Sequence, residues 1–255
     1  MLKVGVYGAN GRVGRLLVKN LTEDLDTQVA ALCEKNEIDY LAPKGSVVTN
    51  DVKTFLNCSE AAIDFTTPKA TESLLKAAMD CPRPLVIGTT GLDDTQKVLL
   101  KKASEIMPIL YATNMSVGIA LLKKLVQMTA QKLSDFDIEI VEQHHRYKKD
   151  APSGTALTLA EFAANGRGLE LEKVRISGRD GIIGERNRDE IGVMAIRGGD
   201  VVGRHTVGFY NDGEFLELNH TATSRETFSK GAIRACKWLV NQPAGLYDIS
   251  DCLGI

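Results

Sequence analysis

The chain has 255 residues, 44% of them hydrophobic, 25% charged and 5% aromatic, with a formal net charge of -2. That length and apolar fraction suit one large domain or two modest ones and argue against disorder. The balanced charge argues against nucleic acid as a partner, and no apolar run approaches the ~20 residues of a membrane span.

Leu2–Tyr7 reads as a strand, Arg12–Thr22 as a helix and Thr27–Cys33 as a second strand. Val52–Asn57 suggests a short helix, Ala61–Phe65 a strand and Lys69–Met79 a helix. Leu85–Ile87 is a strand, Asp93–Glu105 a helix with Asp93 near its N-cap, and Pro108–Tyr111 a strand. Buried-type strands alternating with helices predict a parallel sheet covered on both faces. The pattern then changes. Val117–Lys132 reads as a long helix, Phe136–Val141 as an alternating strand and Ser153–Ala164 as a helix. From 165 to 225 apolar and polar residues alternate between glycines, with turns at Gly198-Gly199 and Asp212-Gly213, an antiparallel signature. Glu226–Leu239 closes with a helix.

The fold class expected is α/β. A Rossmann-like, doubly wound parallel sheet spans 1–114. An α+β substrate and oligomerisation domain with a mainly antiparallel sheet spans 115–220. Residues 221–255 are expected to pack back on the first domain.

The five cysteines form no CxxC pair, and three sit in apolar runs, as reduced thiols of a cytoplasmic protein would. MLKVGVYGANGRVGR runs from a buried-strand pattern into glycines and lacks the features of a signal peptide. The four histidines lie in no HExxH or Cys/His spacing, so no metal site is expected.

The first strand runs into Gly8-Ala9-Asn10-Gly11-Arg12-Val13-Gly14, and a helix pattern follows. Small residues there let backbone N–H groups approach a pyrophosphate at a helix N-terminus, where the helix dipole favours anions. Strand, glycine turn and helix in that order favour a bound dinucleotide over a turn needed only for packing. Glu34 ends the second strand, where an acid accepts hydrogen bonds from an adenine ribose. Lys35 follows it, with Arg12 and Arg15 in the first helix, so a ribose 2′-phosphate is admitted too. Both NADH and NADPH are therefore expected cofactors. Gly88-Thr89-Thr90-Gly91 and Ala112-Thr113-Asn114-Met115 follow later strands, at the carboxyl ends where open parallel sheets bind ligands.

The densest polar segment is Glu142-Gln143-His144-His145-Arg146-Tyr147-Lys148-Lys149-Asp150-Ala151-Pro152-Ser153-Gly154-Thr155-Ala156. Its cations attract an anionic substrate, and its histidines offer proton transfer near neutral pH. Adjacent histidines on extended backbone point in opposite directions, which suits one to chemistry and the other to binding. Pro152 suits a first helical turn, and Ser153, Gly154 and Thr155 offer donors at a helix start, a natural carboxylate cradle. On residues alone, three readings stand: a reductase, another two-domain nicotinamide-dependent dehydrogenase, and a nucleotide-sensing protein without chemistry.

EQHHRYKKDAPSGTA resembles the E-x-H-H-x-x-K-x-D-x-P-S-G-T-A signature of the dihydrodipicolinate reductase family. GANGRVGR, Asp64-Phe65-Thr66 with Pro68, GTTG at 88–91, ATNMSVG at 112–118 and RGGDVVGRHTVGF at 197–209 resemble family segments in the same order. SRETFSKGA at 224–232 and the ending GLYDISDCLGI do so too. The resemblance implies reduction of a cyclic imine dicarboxylate by a nicotinamide hydride in the diaminopimelate route to lysine, by a cytoplasmic homotetramer. It implies His144 and Lys148 as proton-transferring residues, and His145, Gly154 and Thr155 as substrate-binding. It assigns residues 8–13, Glu34, Gly88–Thr90 and Ala112–Met115 to the cofactor, with Lys35 near a 2′-phosphate. Three features depart from the family pattern, one of them the short stretch Lys35–Ser46. Lys35 stands where arginine is common, and Arg204 stands before His205 where an acid is expected.

Overall fold

A central parallel strand must be apolar on both faces, and Val4–Tyr7 meets that requirement. The computed structural model describes residues 1–255 and divides into two units, Met1–Val117 with Glu226–Ile255, and Gly118–Arg225. The first unit runs β1 (Leu2–Tyr7), α1 (Arg12–Glu23), β2 (Thr27–Cys33), β3 (Val47–Thr49), α2 (Val52–Asn57) and β4 (Ala61–Asp64). It continues through α3 (Pro68–Asp80), β5 (Leu85–Ile87), α4 (Asp94–Ser104) and β6 (Pro108–Tyr111). Local chemistry sets the helix starts. Thr67 caps α3, and Asp93 with Gln96 forms a reciprocal capping box on α4. Phe55, Leu74, Leu75, Leu85, Ile87 and Ile109 form one core cluster of this unit. Each such side chain contributes ~1.5–3 kcal/mol on burial.

The second unit contains α5 (Val117–Lys132, its first residue belonging to the first unit), β7 (Asp137–His144), α6 (Gly154–Gly166), α7 (Leu171–Val174) and β8 (Arg175–Ile176). β9 (Ile191–Arg197), β10 (Gly203–Asn211) and β11 (Glu214–Ala222) follow. Alternate residues of β7, β9 and β10 (Ile138, Ile140, Ile191, Val193, Val207 and Phe209) bury against α5 and α6. The five strands lie in the order β11-β10-β7-β9-β8. Glu139 on β7 holds Arg179 and Arg186, which fastens the segment after β8 to the sheet.

The chain then returns to the first unit as α8 (Glu226–Leu239) and β12 (Gly245–Tyr247). β12 completes a seven-stranded parallel sheet in the order β12-β6-β5-β4-β1-β2-β3. Strand order reverses between β1 and β4, and that crevice is where doubly wound sheets take ligands.

Several expectations are corrected here. β3 and β12 are strands that the apolar pattern does not announce. β7 pairs with β9 in parallel, and so does β8 with β9, so the second sheet is mixed, although β10 runs antiparallel to both of its neighbours. The Gly198-Gly199 turn therefore closes no hairpin, because β9 and β10 flank β7. Pro152 stands outside α6, before the capping Ser153, rather than in its first turn. The unit boundary falls at 225 rather than 220, because β11 runs on to Ala222.

Candidate active site

Gly8 ends β1 with a φ of +85°, which a side chain would strain, and its N–H donates to the Cys33 carbonyl. A Cβ on Gly14 would lie 2.1 Å from the Gly8 carbonyl oxygen, so α1 starts hard against the turn. No side chain caps α1, whose N-cap is Gly11, so its first N–H groups have no side-chain acceptor at the cap. Glu34 accepts the Asn10 N–H at 2.9 Å and the Lys35 N–H at 3.0 Å. Asn10 Oδ1 is buried without a partner. A cavity of about 910 Å³ opens at this turn, lined by Gly8, Asn10, Gly11, Glu34 and Lys35 together with Phe65, Thr66 and Lys69. Open amides at a glycine cradle, an orphan acceptor and a cavity of that size fit a dinucleotide.

Ala9, Arg12 and Val13 belong to the same turn but do not line the cavity. Gly88–Thr90 and Ala112–Met115 follow the carboxyl ends of β5 and β6. A Cβ on Gly88 would strike the Phe65 ring at 2.4 Å. Met115 is buried, and its carbonyl oxygen lies where a Cβ on Gly231 would fall. Asp64, at the end of β4, ties the segment after β5 to the turn that enters α3. Its fully buried carboxylate accepts from Thr66 Oγ1 at 2.6 Å, Thr71 Oγ1 at 2.5 Å and Thr89 Oγ1 at 3.3 Å. Burial pushes its carboxyl up to about 6, and the hydroxyls oppose that rise.

The second unit assembles a separate polar cluster. Glu142, on β7, is fully buried. Its Oε2 lies 2.5 Å from His144 Nδ1 and accepts from Arg197 Nη1 at 2.8 Å. Its Oε1 accepts from Arg197 Nη2 at 2.7 Å and from the Ser153 N–H at 2.9 Å. Burial would raise the Glu142 carboxyl, but Arg197, His144 and the Ser153 amide outweigh it and hold it below its ordinary value. Burial lowers His144 below the usual imidazole value, against the pull of Glu142. His205 sits opposite Glu142 in register on β10, edge-on to His144 with ring centres 5.2 Å apart. Burial holds His205 at about 4, with a smaller push from His144, so it is neutral near pH 7. Its Nε2 meets Ser153 Oγ at 3.2 Å, while that hydroxyl also caps α6 by accepting the Ala156 N–H.

Lys148 Nζ pairs with Asp150 at 2.9 Å, a partner that the sequence reading did not single out. Arg197 Nη2 reaches the Asp150 carbonyl at 2.8 Å. His145 has its Nδ1 buried without a partner. A Cβ on Gly154 would meet nothing within 4 Å, so the helix start faces open space. His144, Lys148, Ser153, Gly154 and Thr155 thus share one neighbourhood. Glu142, Arg197 and His205 are the members that sequence reasoning missed. Period-two spacing of Glu142 and His144 was the available signal, since it puts both on one strand face. Arg204 is exposed, and nothing in the structure explains why it replaces an acid. No group of three or more His, Cys, Asp or Glu is placed to hold a metal ion, and all five cysteines are free.

Residues 2–115 match the family model "Dihydrodipicolinate reductase, N-terminus", and residues 118–253 match "Dihydrodipicolinate reductase, C-terminus". The chain belongs to the dihydrodipicolinate reductase family. Among curated members of the dihydrodipicolinate reductase family, it is 64% identical to the 4-hydroxy-tetrahydrodipicolinate reductases of Nitratiruptor sp. and of Sulfurimonas denitrificans, over 100% of both chains in each case. The solved dipicolinate-bound dihydrodipicolinate reductase from Paenisporosarcina sp. TG-14 superposes with a TM-score of 0.79, at 23% identity, over 97% of each chain. That likeness confirms the fold: an α/β chain with a Rossmann-like parallel sheet and a second, mixed sheet. As a dihydrodipicolinate reductase family member, the chain is an oxidoreductase.

Proposed function

We propose that this chain reduces 4-hydroxy-tetrahydrodipicolinate to tetrahydrodipicolinate with NADH or NADPH, in the diaminopimelate route to lysine. The observation that carries the reading is the His144 imidazole, held by Glu142 on one side and making no hydrogen bond at Nε2 on the other. The reaction takes up a hydride and a proton and releases water. Bound NADH or NADPH supplies the hydride. Gly8–Val13 and the start of α1 would hold its pyrophosphate, Glu34 a ribose hydroxyl and Lys35 a 2′-phosphate where present. Gly88–Thr90 and Ala112–Met115 complete the cofactor set by family resemblance.

His144 passes a proton at Nε2 while Nδ1 stays on Glu142. Lys148, steered by Asp150, supplies a second proton or offsets charge. Gly154 opens α6 toward free space, so its N–H can grip a substrate carboxylate, with Thr155 and His145 given the same role by family resemblance, while the Ser153 amide and hydroxyl are engaged with Glu142, His205 and Ala156. Free thiols suit a cytoplasmic protein, and no helix is long and apolar enough to cross a membrane. A homotetramer would cover Ile196, Tyr210 and Phe215, which lie on the sheet face turned away from α5 and α6. A monomer mass by light scattering would refute that assembly.

The activity test is His144→Gln. Turnover should fall on the order of 10²–10⁴-fold while cofactor affinity stays near wild type. Near-normal turnover would remove His144 from the chemistry. A sensing protein without chemistry would oxidise no cofactor with the imine substrate.

A further inference from the structure

One buried carboxylate joins three segments of the second-unit cluster. Glu142 bonds the imidazole at the end of its own strand, the guanidinium at the end of β9, and the amide that precedes α6. Arg197 in turn donates to the Asp150 carbonyl, and Asp150 holds Lys148. The 145–152 loop is therefore pinned at its far end through the same anion that holds His144 at its near end.

We propose that Glu142 is the positioning residue of this enzyme: it fixes His144 as the Nδ1–H tautomer, with Nε2 free, and fastens the loop that carries Lys148. The inference rests on the proposed role of His144 in proton transfer. Its geometric basis does not. A carboxylate only accepts, so the shared proton of the neutral imidazole sits on Nδ1. Nε2 then alternates between acceptor and donor without rotation of the ring. Clearance for that nitrogen comes from Gly203, where a Cβ would lie 3.1 Å from it. The charged and titratable groups around the pair are Arg197 from β9, His205 from β10 and Lys148 from the loop. Arg197 supplies the charge that lets Glu142 stay ionised while buried, so the imidazole is oriented by a stable anion rather than by one that protonates first.

The amide variant makes the idea testable. In Glu142→Gln, two donors, Arg197 Nη2 and the Ser153 N–H, still converge on the Oε1 position. The amide oxygen belongs there, because the Oε2 position meets only one fixed donor, Arg197 Nη1, beside the His144 ring, whose tautomer can change. The amide nitrogen then falls at the Oε2 position and donates to His144 Nδ1. The tautomer must invert, and Nε2 acquires the proton that it should be free to accept.

The experiment is nitrogen NMR on the full chain with isotope-labelled histidine, the His144 signal being assigned by its loss in His144→Gln. Expected in wild type is a protonated Nδ1 and a pyridine-like Nε2, reversed in Glu142→Gln. Expected in steady state is a kcat at least ~10-fold lower in Glu142→Gln, with the KM for NADH within about twofold, and partial recovery with the same-charge variant Glu142→Asp. A purely structural role would lower both variants alike and leave the tautomer unchanged. A wild-type His144 protonated at Nε2 overturns the proposal, and that measurement needs no variant to fold. So does a Glu142→Gln enzyme with kcat within about twofold of wild type. If His144→Gln keeps its turnover while Glu142→Gln inverts the tautomer, the proton-transfer role fails and the positioning of the imidazole by Glu142 stands.

Discussion

Replacing Asp64 by asparagine should change how stability depends on pH, and the size follows from the site. The folded carboxyl is pushed up to about 6 by burial, whereas an unfolded aspartate titrates near ~3.9. The native state therefore binds more protons than the unfolded state between those values, and stability falls as pH rises through that window. The contribution is fully present below ~3.9 and lost above ~6. The whole effect is about 3 kcal/mol at ~1.36 kcal/mol per pH unit, and about 2 kcal/mol of it falls between about pH 4.5 and 7.5. The Asp64→Asn variant carries no such titration, and its amide can still meet hydroxyls that rotate freely, such as those of Thr66, Thr71 and Thr89. The assay is urea unfolding of both proteins across that range. Groups common to the two cancel in the difference. Wild type should lose about 2 kcal/mol relative to Asp64→Asn on going from about pH 4.5 to 7.5. A difference that is flat, or that grows in favour of wild type with pH, would show that the hydroxyls outweigh burial.

Two further outcomes are expected. NADH and NADPH should both be used, with kcat/KM differing by less than ~1,000-fold, and Lys35→Ala should cost NADPH more than NADH; equal losses would place Lys35 outside the pocket. Raising ionic strength should raise the substrate KM through screening within ~8 Å at physiological salt, and Lys148→Ala should flatten that slope; coincident slopes would mean that Lys148 does not approach the dianion.

The sheet of the first unit was legible because its strands are apolar on both faces and its helices carry the 3.6-residue period. β3 was not. Val47-Val48-Thr49 is too short for a period and lies exposed at the sheet edge. β12 fails for the same reason, being three residues long. Strand direction in the second sheet was illegible in principle. A half-buried strand alternates in the same way whether its neighbour runs with it or against it. The Gly8 turn and the segment from Glu142 to Thr155 could be read because each is contiguous. Arg197 could not be, because it meets Glu142 through the parallel pairing of β7 with β9, across 55 residues of chain. His205 arrives in the same way, by its register opposite Glu142 on β10.

Asp64 and Glu142 bring the two halves of the chemistry under one physical comparison. Both are fully buried acids near the carboxyl end of a strand, and both gather donors from other segments of the chain. Their partners differ in charge. Asp64 is bonded only by neutral donors, so desolvation dominates and its carboxyl rises. Glu142 faces a bidentate guanidinium and an imidazole, so its carboxyl falls despite burial. The consequence is a division of roles. An acid held by neutral donors can order a turn, and some of its stabilisation is lost when it ionises near neutral pH. An acid held by a permanent cation keeps its charge through the working range, and such an acid can orient an imidazole that must gain and lose a proton. Exchanging the environments would fail in both places: a cation beside Asp64 would compete for the anionic cofactor at the neighbouring glycine turn, and hydroxyls alone around Glu142 would let it take up the proton that His144 has to carry.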